Sequence, residues 1–212
     1  LTSDTLHYDT QTKWAHIVGP SRIVSGESSI DTEHGYYNSD TEYVRLYNRS
    51  VVHHRGKLMI ADSIYYDKAN DITTAYSNAI YEDSVAKNAF QGDYCKYEGA
   101  LGKAEAYGRA LVKDYSNGND TLFVHADTLK MFTFHIDTDS MYRVLHGYFH
   151  VRAYRTDMQA VCDSLVGNSK EKKMTLYRDP IVWSAHRQVP GEEINVFSND
   201  STLDSVYVER QA

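Results

Sequence analysis

Apolar and polar positions come in runs of about 6–12 residues along most of this chain, broken by clusters of Asn, Asp, Gly and Ser. That rhythm predicts an all-β chain. Strands are expected at Trp14–Val18, Tyr43–Tyr47, Leu58–Tyr66, Thr73–Tyr81, Ala89–Tyr97, Ala104–Tyr115, Thr121–Phe134, Tyr142–Tyr154 and Thr175–Trp183. The alternation is clearest within Tyr142–Tyr154. Leu145, Gly147, Phe149 and Val151 fall on one face, and His146, Tyr148, His150 and Arg152 on the other. One stretch has helical spacing. Tyr154, Met158, Val161, Cys162 and Leu165 recur at intervals of three and four, so taken alone it predicts a short helix.

Residue usage agrees with strands. Val, Ile, Thr, Phe and 18 tyrosines dominate the apolar runs, and these side chains suit a pleated, half-buried surface. With 42% apolar and 24% charged residues, the chain is neither a disordered tail nor a membrane bundle. No apolar run reaches the roughly 18 residues of a spanning helix. A net charge of −7 argues against a nucleic-acid partner, which needs a basic surface. The two cysteines, Cys95 and Cys162, exclude a disulfide scaffold and a thiolate zinc site, and two buried free thiols are expected. The chain opens on Leu1-Thr2-Ser3-Asp4 without a visible signal peptide, so composition leaves the compartment open.

A short repeat runs through the sequence. Asp-[Ser/Thr]-[Val/Ile/Leu/Met] begins at Asp4, Asp62, Asp83, Asp120, Asp127, Asp139, Asp163 and Asp204, where chance gives fewer than about one copy. Three copies share a longer frame: Met59-Ile60-Ala61-Asp62-Ser63-Ile64, Val124-His125-Ala126-Asp127-Thr128-Leu129 and Ala160-Val161-Cys162-Asp163-Ser164-Leu165. The small residue and the apolar residue three positions on lie on opposite parities, so one flat strand cannot bury both. A bulge or corner at the Asp-Ser/Thr step resolves the conflict. It adds a residue and bends the strand, and the Asp and hydroxyl side chains satisfy the backbone groups freed there. Ordinary β-turns would explain the Asp and the hydroxyl, but not the apolar positions shared on either side. The repeat therefore predicts strand, not helix, across Ala160–Leu165.

The element Ala61-Asp62-Ser63-Ile64-Tyr65-Tyr66-Asp67, together with Gly35-Tyr36, Gly92-Asp93-Tyr94 and Gly147-Tyr148, resembles the repeat of the OstA-like family. That family includes the lipopolysaccharide-transport protein LptA and the N-terminal domain of LptD. The resemblance covers roughly Asp4 to Val166. From Lys170 on it is carried only by Asp204-Ser205-Val206-Tyr207. It implies a repetitive antiparallel β-jelly-roll, a folded "β-taco" with an apolar interior groove. It also implies one β-repeat domain over residues 1–212, with the tail as an end cap and the chain as part of a longer protein. The implied function is a non-catalytic periplasmic envelope protein. It would hold lipopolysaccharide or a similar amphiphile for transport to, or assembly at, the outer membrane. Other envelope transport proteins or further copies of the chain would join it by edge-strand stacking. The alternative is a scaffold that stacks head to tail without lipid.

The groove candidates are the inward positions of the repeat, Met59, Ala61, Ile64, Val124, Ala126, Leu129, Ala160, Cys162 and Leu165. Leu145, Phe149 and Val151 join them from the alternating strand. Each is also an ordinary core position. No cofactor or metal is expected. His53 and His54 point to opposite faces of a strand, and His146 and His150 stand about 13 Å apart along one. Asp137-Thr138-Asp139-Ser140 starts like a calcium loop but lacks its Gly and Glu. Gly26-Glu27-Ser28-Ser29-Ile30 has Ile where a nucleophile elbow needs Gly.

Overall fold

The computed structural model describes residues 2–116, 120–136, 138–184, 187–199 and 202–210. The chain divides into two compact units, Leu1–Ala100 and Leu101–Ala212. Both are all-β and antiparallel, neither closes into a barrel, and the described residues contain no α-helix. The architecture is consistent with the folded β-taco.

The first unit is a meander of β1 (Thr2–Tyr8), β2 (Trp14–Ser25), β3 (Ser28–Asn38), β4 (Val44–His54), β5 (Lys57–Asp67), β6 (Ile72–Asp83) and β7 (Asn88–Glu98), each paired with the next. The second contains β8 (Lys103–Asp114), β9 (Leu122–Phe134), β10 (Tyr142–Arg155), β11 (Met158–Asn168), β12 (Lys173–Tyr177), β13 (Ile181–Ser184), β14 (Arg187–Pro190), β15 (Glu193–Ser198) and β16 (Leu203–Arg210). Its order is β8-β9-β10-β11-β12-β15-β16, with β13 paired to β11 and β14. The segment with helical spacing is strand β11, as the repeat predicts. Strands β1, β3, β14, β15 and β16 had no counterpart among the strands expected from sequence.

A corner crosses the strands where the repeat places it. Between Tyr47↔Ser63 and Ser50↔Ala61, β4 has Asn48 and Arg49 where β5 has only Asp62. The same two-against-one step sets Ser77-Asn78 opposite Asp93, Gly108-Arg109 opposite Asp127, and Phe149-His150 opposite Asp163. In β2, Gly19-Pro20 faces Asp4. The extra residue thus belongs to the even-numbered strands, not to the Asp-bearing strands as the sequence suggested.

Most of these extra pairs are left-handed, with φ of 61° and 60° at Asn48 and Arg49, 61° and 51° at Ser77 and Asn78, and 61° and 52° at Phe149 and His150. Hairpin turns of type I′ use the same left-handed pair. Here it bends a strand that continues. Asn and Gly suit the conformation; Arg, Phe and His occupy it at a cost of about 1–3 kcal/mol each.

The Asp side chain offsets that cost by binding side chains of the step. Arg49 Nη1 donates to Asp62 Oδ1 at 3.3 Å, and Asn78 Nδ2 donates to Asp62 Oδ2 at 3.1 Å. His150 Nδ1 lies 2.7 Å from Asp127 Oδ2, and Arg178 Nη1 donates to Asp163 Oδ2 at 3.4 Å. Four tripeptide copies are not corners. Asp83 caps a hairpin turn through the N–H groups of Val85 and Ala86, Asp120 accepts from the Thr156 N–H, Asp139 sits in a turn and Asp204 lies within β16.

The corner folds each strand so that both sides of it bury. Ala61 and Ile64 are both buried, as are Ala126 and Leu129, and Cys162 and Leu165. A methyl group added at Gly147 would lie 3.3 Å from Val151 Cγ2, 3.5 Å from Leu129 Cδ2 and 3.7 Å from Ala126 Cβ. Residues from both limbs therefore meet there, which is why the positions beside the corner are small.

Candidate functional site

All the sequence-derived groove positions but one lie on the interior seam or at its margin. In the second unit Ala106, Leu129, Gly147, Leu165, Leu176 and Ile194 follow one another across neighbouring strands. On the other limb Val112, Val124, Ala153, Ala160 and Val182 do the same. Every one of these is buried, Leu129 and Val124 completely, as is Ala126 beside the corner. Val151 and Cys162 are paired beside the corner. In the first unit the matching row is Ile17, Gly35, Leu46, Ile64, Ala75 and Cys95. Ala61 is fully buried past its corner, and Met59 is half-buried on the same face nearer the strand end. Leu145 is likewise half-buried near the start of β10.

Phe149 is a correction. It is 51% exposed and does not face the seam. The alternation that placed it inward stops at Tyr148, because Phe149 and His150 are the left-handed pair. Three residues, not one, then separate Gly147 from the next inward position, Val151.

Sequence reasoning also missed that the seam is not apolar throughout. Beside the corner in the first unit it is lined by hydroxyls. Ser3 Oγ and Ser21 Oγ are 2.7 Å apart, as are Thr32 Oγ1 and Ser50 Oγ, the latter pair buried. Each buried hydroxyl thereby keeps a partner.

The opposite face of the first unit carries an aromatic ladder. Ring centroids are 6.5 Å apart for Tyr36–Tyr47, 6.0 Å for Tyr47–Tyr65, 5.7 Å for Tyr65–Tyr76 and 5.2 Å for Tyr76–Tyr94. The rings meet edge to face, as their quadrupoles favour. At one end His16 stacks on Tyr36 at 4.4 Å, with His34 edge-on to it at 5.0 Å. Burial, then the neighbouring His34 and His7, holds the His16 pKa below the ordinary imidazole value. A hydrogen bond with Tyr47, aided by burial, pushes the Tyr65 hydroxyl up to about 12. The sequence signal for the ladder is a Tyr directly before the left-handed pair, as in Leu46-Tyr47-Asn48-Arg49-Ser50 and Ala75-Tyr76-Ser77-Asn78-Ala79.

Both thiols are free and buried, as expected from sequence. Burial pushes Cys95 and Cys162 up to about 12. At pH 8 that leaves roughly a thousandfold less thiolate than an ordinary cysteine has. The native protein is expected to react with an aromatic disulfide reagent only on the timescale of its unfolding, and both thiols at once in denaturant. Prompt stoichiometric labelling of the native protein would contradict this.

Among the described residues no three His, Cys, Asp or Glu side chains converge to hold a metal ion. His53 and His54 are both exposed at the end of β4. His146 contacts the Tyr148 ring while His150 turns to Asp127. Asp137 of the calcium-like segment lies outside the described residues. No helix among the described residues is long and apolar enough to cross a membrane. Family models and curated proteins contain no match to the chain.

Proposed function

We propose that the protein is a non-catalytic envelope protein. It shields the acyl chains of lipopolysaccharide, or of a similar amphiphile, between the limbs of its folded sheet. Transport to the outer membrane, or assembly there, is the role this gives it, and the periplasm is its place. The observation that carries the reading is the aliphatic seam of the second unit, which crosses six strands from Ala106 to Ile194 without a polar side chain. An acyl chain there gains about 0.8 kcal/mol per buried CH₂. The resemblance of the repeat to OstA-like proteins supports the choice of lipid. The limbs meet at Gly147, so an entering chain parts them at the margin, where Leu145 is half-buried.

The test is native mass spectrometry with lipopolysaccharide, combined with a benzophenone side chain at Leu145 or at Phe149. A saturable mass increment and labelling from position 145 but not 149 is the expected result. No increment over the concentration series, or equal labelling from both positions, would overturn the reading.

A second reading has its own observation. Among the described residues β1 pairs only with β2 and β16 only with β15, and six of the seven residues of β1 are exposed. Such edges offer unpaired N–H and C=O groups to another strand. As a scaffold, the protein would stack through these edges into higher species that grow with concentration. Sedimentation velocity showing a monomer at every concentration would exclude stacking of copies and leave the carrier reading untouched.

A further inference from the structure

The tyrosine ladder carries a built depression as well as a row of rings. On this face of β5 and β6, Ser63 pairs with Tyr76 and Tyr65 with Thr74. Each ring therefore stands opposite a short hydroxyl side chain, and the two pairs run in opposite senses. Tyr65 and Tyr76 occupy diagonal corners, 5.7 Å apart and at 89° to each other. The short side chains leave a hollow of about 400 Å³ lined by Tyr43, Ser63, Tyr65, Thr74 and Tyr76. That is within the roughly 300–1,000 Å³ of small-molecule sites.

All five lining residues are hydroxylated, three are aromatic and none is charged. Arg45 stands nearby, but its guanidinium lies over the Trp14 and Tyr43 rings at 5.7 Å and 5.2 Å. Perpendicular rings give a floor and a wall, and hydroxyls surround them. A ligand matching this has apolar C–H faces, a rim of neutral hydroxyls and no need for a counter-charge. An acyl chain would leave the hydroxyls without partners, and the two flanking cations are already engaged, Arg45 by the Trp14 and Tyr43 rings and Lys96 by Glu98.

We propose that this hollow binds a neutral sugar unit of a glycan, stacked on Tyr65 or Tyr76 and hydrogen-bonded by Ser63 and Thr74. The site lies on the face opposite the seam and does not depend on the lipid reading. Its sugar comes either from a free oligosaccharide or from the carbohydrate of a glycolipid.

The test is titration of the full chain, with tyrosine ring signals followed by NMR, using maltotriose, cellotriose, chitotriose and fully deacylated lipopolysaccharide as probes. Saturable shifts at Tyr65 and Tyr76, with Tyr207 unmoved, are expected at a Kd of about 1 mM or tighter. Tyr76→Ala should weaken binding at least roughly tenfold. Ser63→Trp, which fills the hollow, should abolish it while the strand circular dichroism is kept. Response to deacylated lipopolysaccharide alone assigns the sugar to a glycolipid, and response to a trisaccharide assigns it to free glycan. No saturable shift with any of the four probes, or shifts unaffected by Ser63→Trp, overturns the proposal. The probes carry no acyl chain, so failure here is separate from failure of the seam.

Discussion

Leu129→Ala is expected to destabilise the second unit by about 3 kcal/mol, within the 2–5 kcal/mol range of such truncations. Leu129 is completely buried. Its cross-strand neighbours are Ala106 on β8 and Gly147 on β10, which contribute almost no volume. Leu129 and Val151 therefore fill the space between the limbs at this level, with Leu129 Cδ2 3.5 Å and Val151 Cγ2 3.3 Å from where a Gly147 methyl would sit. Neither cross-strand neighbour has a side chain that can collapse into the void. The cost falls well inside that range for this reason. Urea unfolding followed by circular dichroism measures it. A loss under about 1 kcal/mol would mean that the seam is not close-packed at rest.

Asp157→Ala is expected to cost about 3 kcal/mol at neutral pH, because it leaves a buried guanidinium without its partner. The Arg155 side chain is only 8% exposed. Its Nε and Nη2 donate to Asp157 Oδ1 and Oδ2 at 2.6 Å and 2.9 Å. The Leu203 N–H donates to Asp157 Oδ2 at 2.5 Å, so one carboxylate ties the β10–β11 turn to the start of β16. Burial alone would raise the Asp157 pKa. The hydrogen bonds from Arg155 and Leu203, with the Arg155 charge, outweigh it and hold the carboxyl below its ordinary 3.8.

The sign of the pH effect follows. A folded pKa below the unfolded value contributes stability that is fully present above pH 3.8 and is lost as pH falls through the folded pKa. The gap between wild type and Asp157→Ala should therefore be constant from about pH 5 to 8 and shrink below about pH 4. Thermal unfolding across that range tests it, with Asp157→Asn separating charge from shape. A gap under about 1 kcal/mol, or one that does not narrow in acid, would contradict the account.

Most of the second unit was legible because its inner positions are aliphatic. In β9 the residues Val124, Ala126 and Leu129 stand out against polar neighbours. Strand β3 was hidden because its buried positions are Thr32, Gly35 and Asn38, which carry no hydrophobic signal. It is held by pairing with β2 and β4 on either side. β1 was hidden for a different reason, since most of its residues are exposed.

The corner explains both the ambiguity in β11 and the misplacement of Phe149. Inward residues two apart become three apart across the Asp step, so Met158, Ala160, Cys162 and Leu165 mix strand and helix spacing. On the even-numbered strands the interval is four, from Gly147 to Val151. Extrapolating strict alternation across that interval sends Phe149 to the wrong side.

Three features are written in the residues alone: the chain is all-β, it repeats, and the Ala/Cys-Asp-Ser/Thr-Ile/Leu frame turns a corner with both flanks buried. Those follow from local parity, which each strand carries in its own residues. The tertiary structure decided which strand absorbs the extra residue at each corner. It decided which Asp copies are corners and which cap turns. It also decided that the limbs close on each other at Gly147, and that the tyrosines before each corner in the first unit line up into one face. These depend on register between strands, and a register is a relation between distant segments that no single segment encodes.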